Sequence, residues 1–160
     1  MNNQTISTLS FVFDNQTDHL LMVQISADGP LKRKLTGIKA EIGIEEGTSE
    51  AALRSINAVS GLAVSKAVLR GVVKIICAQS NSANIYLVYE SSLVSGEVTG
   101  NLSRGLKWVD ILNVFNLPLE PLVLKIMPHL LEGESFFEGT IYLNDQDEVE
   151  RSDVHICNAF

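Results

Sequence analysis

Residues 35–62, LTGIKAEIGIEEGTSEAALRSINAVSGL, constrain the chain more than any other stretch. They read as a glycine-punctuated acidic loop that runs into one amphipathic helix. Thr48 or Ser49 can cap that helix, because a hydroxyl just before a helix accepts an otherwise unpaired backbone N–H. Glu50 falls in the first turn, where the helix dipole favours negative charge. Ala52, Ile56 and Val59 recur at i, i+4 and i+7, the spacing of one buried helical face. Gly61 ends the helix, as a residue that tolerates a left-handed backbone.

This stretch resembles the Nudix box, G-x5-E-x7-R-E-U-x-E-E-x-G-U, where U is aliphatic. With Arg54 set on the motif arginine, no gap is needed. Glu46 falls on the first motif glutamate, Ile56 on the aliphatic position, Gly61 on the late glycine and Leu62 on the final aliphatic position. The departures are specific. Ala40, preceded by Lys39, stands at the leading glycine. Ser55 stands at the glutamate after the arginine, and Ala58 and Val59 stand at the paired glutamates. Positions 55, 58 and 59 share a helical face at i, i+3, i+4 spacing. In the family that face carries carboxylates that hold Mg²⁺ or Mn²⁺ against a substrate pyrophosphate. Serine, alanine and valine do not supply the charged oxygen ligands that hard cations take. The resemblance therefore implies an α/β/α sandwich with a mixed sheet between helices, lacking the usual metal site.

The remaining elements suit that architecture. Residues 6–14 and 19–25 read as strands joined by the turn Asp14-Asn15-Gln16-Thr17-Asp18. A second turn, Ala27-Asp28-Gly29-Pro30, precedes the basic residues Lys32, Arg33 and Lys34. Residues 63–78 read as one long or bent strand with a bulge at Gly71, and residues 83–90 as its hairpin partner. Residues 91–105 read as a polar loop carrying Glu97 and Arg104. The segment 107–112, with Trp108, has the place of a short family strand before a helix. Residues 120–131 read as a second helix that starts with Pro121 and is ended or kinked by Pro128. Residues 136–143 read as the last strand. This divides the chain into a domain at 1–145 and a tail at 146–160 that is partly disordered or folded back through Val154 and Ile156.

Composition narrows the function classes. A chain of 160 residues holds one domain with a sizeable core. It is 46% hydrophobic and 19% charged, which argues against disorder. A net charge of −7 gives no basic footprint for nucleic acid. The opening MNNQTISTLS has no secretory pattern, and no apolar run is long enough to span a membrane, so the expectation is a cytoplasmic protein. Cys77 and Cys157 have no metal-ligand spacing, and Cys77 reads as a buried thiol. His19, His129 and His155 give neither ligand nor triad spacing.

Each candidate site residue has a plain reading and a sharper one. Glu41, Glu45, Glu46 and Glu50 form a solvated acidic loop or a relocated metal site, to which Glu97 adds a carboxylate by family analogy. In that sharper reading Glu45 and Glu46 are catalytic. The resemblance makes Arg54 a brace that pairs with Glu46 or Glu45; direct phosphate binding is its sharper role. Lys39, with Glu41 and Arg54, is a ligand-binding candidate that neutralises a diphosphate; the plain reading is a solvated basic turn. Tyr86, Tyr89, Trp108 and Phe115 read as core packing for all but one, which can stack on a base. Ser55 has no activating partner in the motif.

Three functional readings follow. One is a Nudix-like protein that binds a nucleotide-like ligand or a partner, with little or no ordinary hydrolysis. The other is a Mg²⁺- or Mn²⁺-dependent pyrophosphohydrolase of nucleoside diphosphate derivatives with a rearranged acidic site. A third reading makes Ala58 and Val59 part of a homodimer surface.

Overall fold

The alternation along residues 6–14 places Leu9, Phe11 and Phe13 on one face of the first strand and Val12 on the other. In the computed structural model, which describes residues 3–98 and 105–157, both faces are covered. Leu9, Phe11 and Phe13 belong to one apolar cluster and Val12 to a second. A strand buried on both faces sits in the middle of a sandwich.

The strands are β1 Asn3–Asp14, β2 His19–Gln24, β3 Leu35–Thr36, β4 Ile38–Glu41, β5 Ala63–Val64, β6 Val68–Cys77, β7 Ser82–Ser95, β8 Leu106–Asp110, β9 Phe137–Leu143 and β10 Val149–Ile156. Helix α1 is Thr48–Ser60 and α2 is Pro121–Leu131, with a 3-10 turn at Ile111–Asn116 between β8 and α2. The main sheet runs β10-β9-β6-β7-β1-β2-β3, with β4 on β1, β5 on β7 and β8 on β2. Pairs β1–β7 and β6–β9 are parallel and the others antiparallel, so the sheet is mixed.

The two helices cover opposite faces. Leu122, Val123, Ile126, Met127 and Leu130 of α2 join Leu9, Phe11, Val73, Val88, Phe137 and Ile141 in the larger cluster. Ile56 and Val59 of α1 pack with Val12, Leu21, Ile38 and Leu62 in the smaller one.

Several local expectations are corrected. Gly47, not Thr48 or Ser49, occupies the cap of α1, and no side chain caps it. Thr48 Oγ1 instead accepts a 2.6 Å hydrogen bond from the Tyr89 hydroxyl, which ties the helix start to β7. Residues 63–78 form two strands rather than one. The expected polar loop at 91–105 is strand as far as Ser95, because β1 pairs with β7 through Ser92 and β5 pairs with Leu93 and Ser95. Arg104 lies outside the described residues. Pro128 stays inside α2, which continues to Leu131. The strand at 137–143 is followed by β10, which pairs with it from Val149 to Ile156.

The register of β6 against β7 shifts between Leu69 and Gly71, at the expected bulge. The irregularity has two consequences. A Cβ on Gly71 would lie 2.3 Å from Phe137 Cε2, so the glycine is what lets β9 pack so closely. Its neighbour Arg70 is 3% exposed. Its guanidinium donates to the carbonyls of His129, Leu130 and Gly133 and to Glu90 Oε2. A cation thus meets the carbonyl end of α2, where the helix dipole favours it.

Candidate functional site

The loop after β4 is clasped by Arg54. Its Nε donates to Glu46 Oε2 at 2.6 Å and its Nη2 to Glu46 Oε1 at 2.9 Å, a two-pronged pair of the kind that fixes geometry. Nη2 also donates to the Glu41 carbonyl at 2.9 Å. The Gly43 N–H donates to Glu46 Oε1 at 3.0 Å. The Arg54 hydrogen bond, then the Gly43 N–H, hold the Glu46 carboxyl down at about 2. In turn the Arg54 pKa is raised by Glu46. Glu46 is thus engaged by the brace that the motif led us to expect, and Glu45 is not part of it.

Glu41, Glu45, Glu46 and Arg54 line one shallow depression. Glu45 and Glu50 are exposed, and Glu50 lies on the first turn of α1. Glu97 stands elsewhere, in a cavity it shares with Asp14, Thr17, His19 and Trp108 and with none of the box carboxylates.

The helix face that carries metal ligands in the Nudix family is occupied differently. Ser55 is 3% exposed and its Oγ donates to the Ala52 carbonyl at 2.9 Å. Val59 packs into the smaller core cluster, and Ala58 stays in solvent. Between them these three side chains hold one oxygen, already engaged in the helix. That donor set does not fit Mg²⁺ or Mn²⁺, which take several oxygen ligands and favour carboxylates.

A more enclosed cavity of about 240 Å³ lies between β4, β7 and the start of α2. Lys39, Tyr86, Asn84 and Glu120 line it, with Ile75 and Leu122 as apolar walls. Glu120 sits at the N-terminal cap of α2 and is 5% exposed. Its carboxylate accepts from Thr36 Oγ1 at 2.9 Å and from Lys39 Nζ at 2.8 Å. The Glu120 N–H donates to the Leu35 carbonyl, which fixes the entry to α2 against β3. Lys39 Nζ also stands 5.3 Å from the centre of the Tyr86 ring, within cation–π range. Burial pushes the Tyr86 phenol up, against the Lys39 charge. Asn84 Oδ1 is buried and has no partner among the described residues. Burying an unpaired carbonyl oxygen is costly, so its environment is one that a donor would complete.

Among the described residues, Tyr86 is the aromatic side chain that lines this cavity. Tyr89 is buried against α1, Trp108 packs on the smaller core cluster, and Phe115 is exposed. The sequence reading missed Thr36, Asn84 and Glu120. They come from β3, β7 and the cap of α2, and no spacing along the chain connects them. The one local clue to Glu120 is a charged residue directly before the first proline of a helix.

Solved structures with this architecture are similar over nearly the whole chain. A MutT protein from Bacillus halodurans superposes with a TM-score of 0.82 over 94% of this chain and 97% of its own, at 19% identity. The chain has the Nudix fold. A NUDIX hydrolase from Nitrosomonas europaea gives a TM-score of 0.67 at 17% identity, covering 84% of this chain and 93% of its own. A NUDIX-family hydrolase from Clostridium perfringens gives 0.57 at 19% identity, covering 78% and 93%. No family model and no curated protein matches the sequence. In this fold, Arg54 ties the loop after β4 to α1 through Glu46 and the Glu41 carbonyl. Among the described residues no helix is long and apolar enough to cross a membrane.

Proposed function

We propose that the chain binds a nucleotide-like ligand, with a flat heterocycle in the cavity between β4, β7 and α2, and carries out little or no ordinary Nudix hydrolysis. The observation that carries this reading is the buried, unpartnered Asn84 Oδ1 at that cavity. Asn84 Oδ1 has no partner among the described residues, and the Glu120 carboxylate, held by Thr36 and Lys39, lines the same space. Nucleobases carry N–H donors on a flat aromatic edge, which suits an unpaired acceptor set beside the Tyr86 ring. The volume is below the roughly 300 Å³ at which pockets for whole drug-sized ligands begin. It suits a single heterocycle with its sugar and phosphates outside. Lys39 and Glu41 alternate onto the same face of β4.

The residues at 55, 58 and 59 support the second half of the reading. Metal-assisted pyrophosphate cleavage uses cations to neutralise phosphate and activate water. Ser55, Ala58 and Val59 do not supply their ligands. The competing reading, a divalent-metal-dependent pyrophosphohydrolase with a rearranged acidic site, rests on Glu41 and Glu45. Both line the depression, and neither is engaged by the brace through its side chain.

A thermal-shift screen of nucleotides with and without Mn²⁺ tests both readings, because a ligand that binds the native state raises its apparent stability. The expected result is a rise with a subset of nucleotides that is independent of Mn²⁺ and lost in Asn84→Leu and Glu120→Gln. No rise with any nucleotide at millimolar concentration overturns the binding reading. Mg²⁺- or Mn²⁺-dependent turnover at the rate of an ordinary hydrolase, lost in Glu45→Gln, establishes the competing one.

A further inference from the structure

On the sheet edge remote from the box, β9 and β10 bring together three side chains of different chemistry. Glu138 and His155 are direct cross-strand partners. Cys157 follows two residues after His155, and its N–H is held by the Phe136 carbonyl at 2.7 Å. One ligand atom from each of Glu138, His155 and Cys157 lies within 4.8 Å of the others. We propose that these three residues form a binding site for a borderline-soft divalent cation, best met by Zn²⁺.

The donor set points to that class of ion. Carboxylate, imidazole and thiolate together are zinc ligands, whereas Mg²⁺ and Mn²⁺ prefer all-oxygen sites. The spacing agrees as well. His155 Nε2 and Glu138 Oε1 are 3.4 Å apart. Two ligands at zinc bond lengths of roughly 2.0–2.1 Å, held at a tetrahedral angle, stand about 3.3 Å apart.

The other imidazole nitrogen supplies an independent observation. His155 Nδ1 lies 3.2 Å from Asp153 Oδ1. A metal-bound histidine characteristically donates its second ring N–H to a carboxylate, which fixes its tautomer and orientation. Asp153, His155 and Cys157 alternate along one strand direction, so the positioning carboxylate and two ligands share a face by register alone. The Glu138, His155 and Asp153 side chains are all more than half exposed, so the site is open to ions in solution. Three protein ligands leave a fourth position for water. Binding converts the Cys157 thiol to a thiolate and releases its proton to solvent. Bound cation would fasten residues 155–157 to the start of β9.

Co²⁺ is the probe, because a cobalt–thiolate bond gives a near-ultraviolet charge-transfer band that oxygen and nitrogen ligands do not. The full chain, reduced with a non-chelating phosphine, should show that band at one equivalent and lose it when Zn²⁺ displaces Co²⁺. Cys77→Ser should keep the band; Cys157→Ser and His155→Ala should abolish it. Asp153→Asn should keep it while weakening affinity roughly tenfold to a hundredfold, the effect of losing a carboxylate behind a ligand histidine. No thiolate band at millimolar Co²⁺ overturns the proposal, as does a band that survives Cys157→Ser. These residues lie apart from the nucleotide cavity, so this outcome and that of the nucleotide screen are read separately.

Discussion

Removing the guanidinium of Arg54 takes away the group that keeps Glu46 ionised in acid. The Glu46 carboxyl is depressed from 4.5 to about 2, chiefly by the Arg54 hydrogen bond. A depressed carboxyl favours the folded state above its unfolded value, and that contribution disappears as the pH falls through the folded value. The brace therefore contributes fully above pH 4.5 and is lost as pH falls toward about 2. Arg54→Ala should narrow its stability deficit relative to the parent across that window, with the Glu46 carboxyl returning to the ordinary range in a carbon-detected titration. A parent Glu46 midpoint above pH 4 would contradict the pairing. Gly71 offers a steric test at the same scale. A methyl there meets the Phe137 ring, which is fully buried and has no room to retreat. Gly71→Ala should cost about 1–3 kcal/mol, the range for overpacking a core. The measurement is a lowered urea midpoint at unchanged slope.

Helix α2 holds a proline where a helix interior is least tolerant of one. Pro128 lacks the N–H that would bond to the carbonyl four residues earlier, yet α2 runs on to Leu131. The carbonyls of His129 and Leu130 are held by Arg70, which supports the last turn from the sheet. Pro128 is exposed, so alanine opens no cavity and restores one backbone bond. Losing proline's restriction of the unfolded chain offsets part of this gain. Pro128→Ala should stabilise by about 1–2 kcal/mol, and equal or lower stability by urea unfolding counts against that account. These elements also show what the sequence can carry. Alternation along β1, the turn at 14–18 and the glycine end of α1 were legible because each depends on neighbours in the chain. Gly61 takes φ 74° at the end of α1 as expected. The cap of α1 was not legible, because the Thr48 hydroxyl is taken by Tyr89 from another strand. The box loop was visible as a motif, and its Arg54–Glu46 brace with it. The cavity was not, because Thr36, Asn84 and Glu120 converge only when β3, β7 and α2 are assembled. Glu138, His155 and Cys157 were hidden for the same reason, although His155 and Cys157 sit two residues apart at the end of β10.

At the scale of the molecule, the open question is whether residues 146–160 are an appendage to a domain ending at 145. The described part of that segment, residues 146–157, packs on the rest of the fold. Asn144 organises the turn between β9 and β10: its Oδ1 accepts from the N–H groups of Gln146 and Glu148, and its carbonyl from Asp147. Beyond the turn, Val149 and Val154 pack against the larger core cluster. The antiparallel ladder covers the outer edge of β9, a strand otherwise held only by parallel pairing to β6. Asp147 also lines the cavity that holds Lys39, Asn84 and Glu120. A chain ending at residue 145 would lose the burial of two valines and leave β9 as a bare edge. Partial burial of two such side chains alone accounts for about 2 kcal/mol, and an uncovered edge also invites association between chains. Urea unfolding of the shortened chain should show a loss of at least about 2 kcal/mol, and sedimentation should show more self-association than the full chain has. Nucleotide binding should weaken with it, since part of the cavity wall is gone. Equal stability and equal binding in the shortened chain would make the last fifteen residues a dispensable tail and move the domain boundary back to 145.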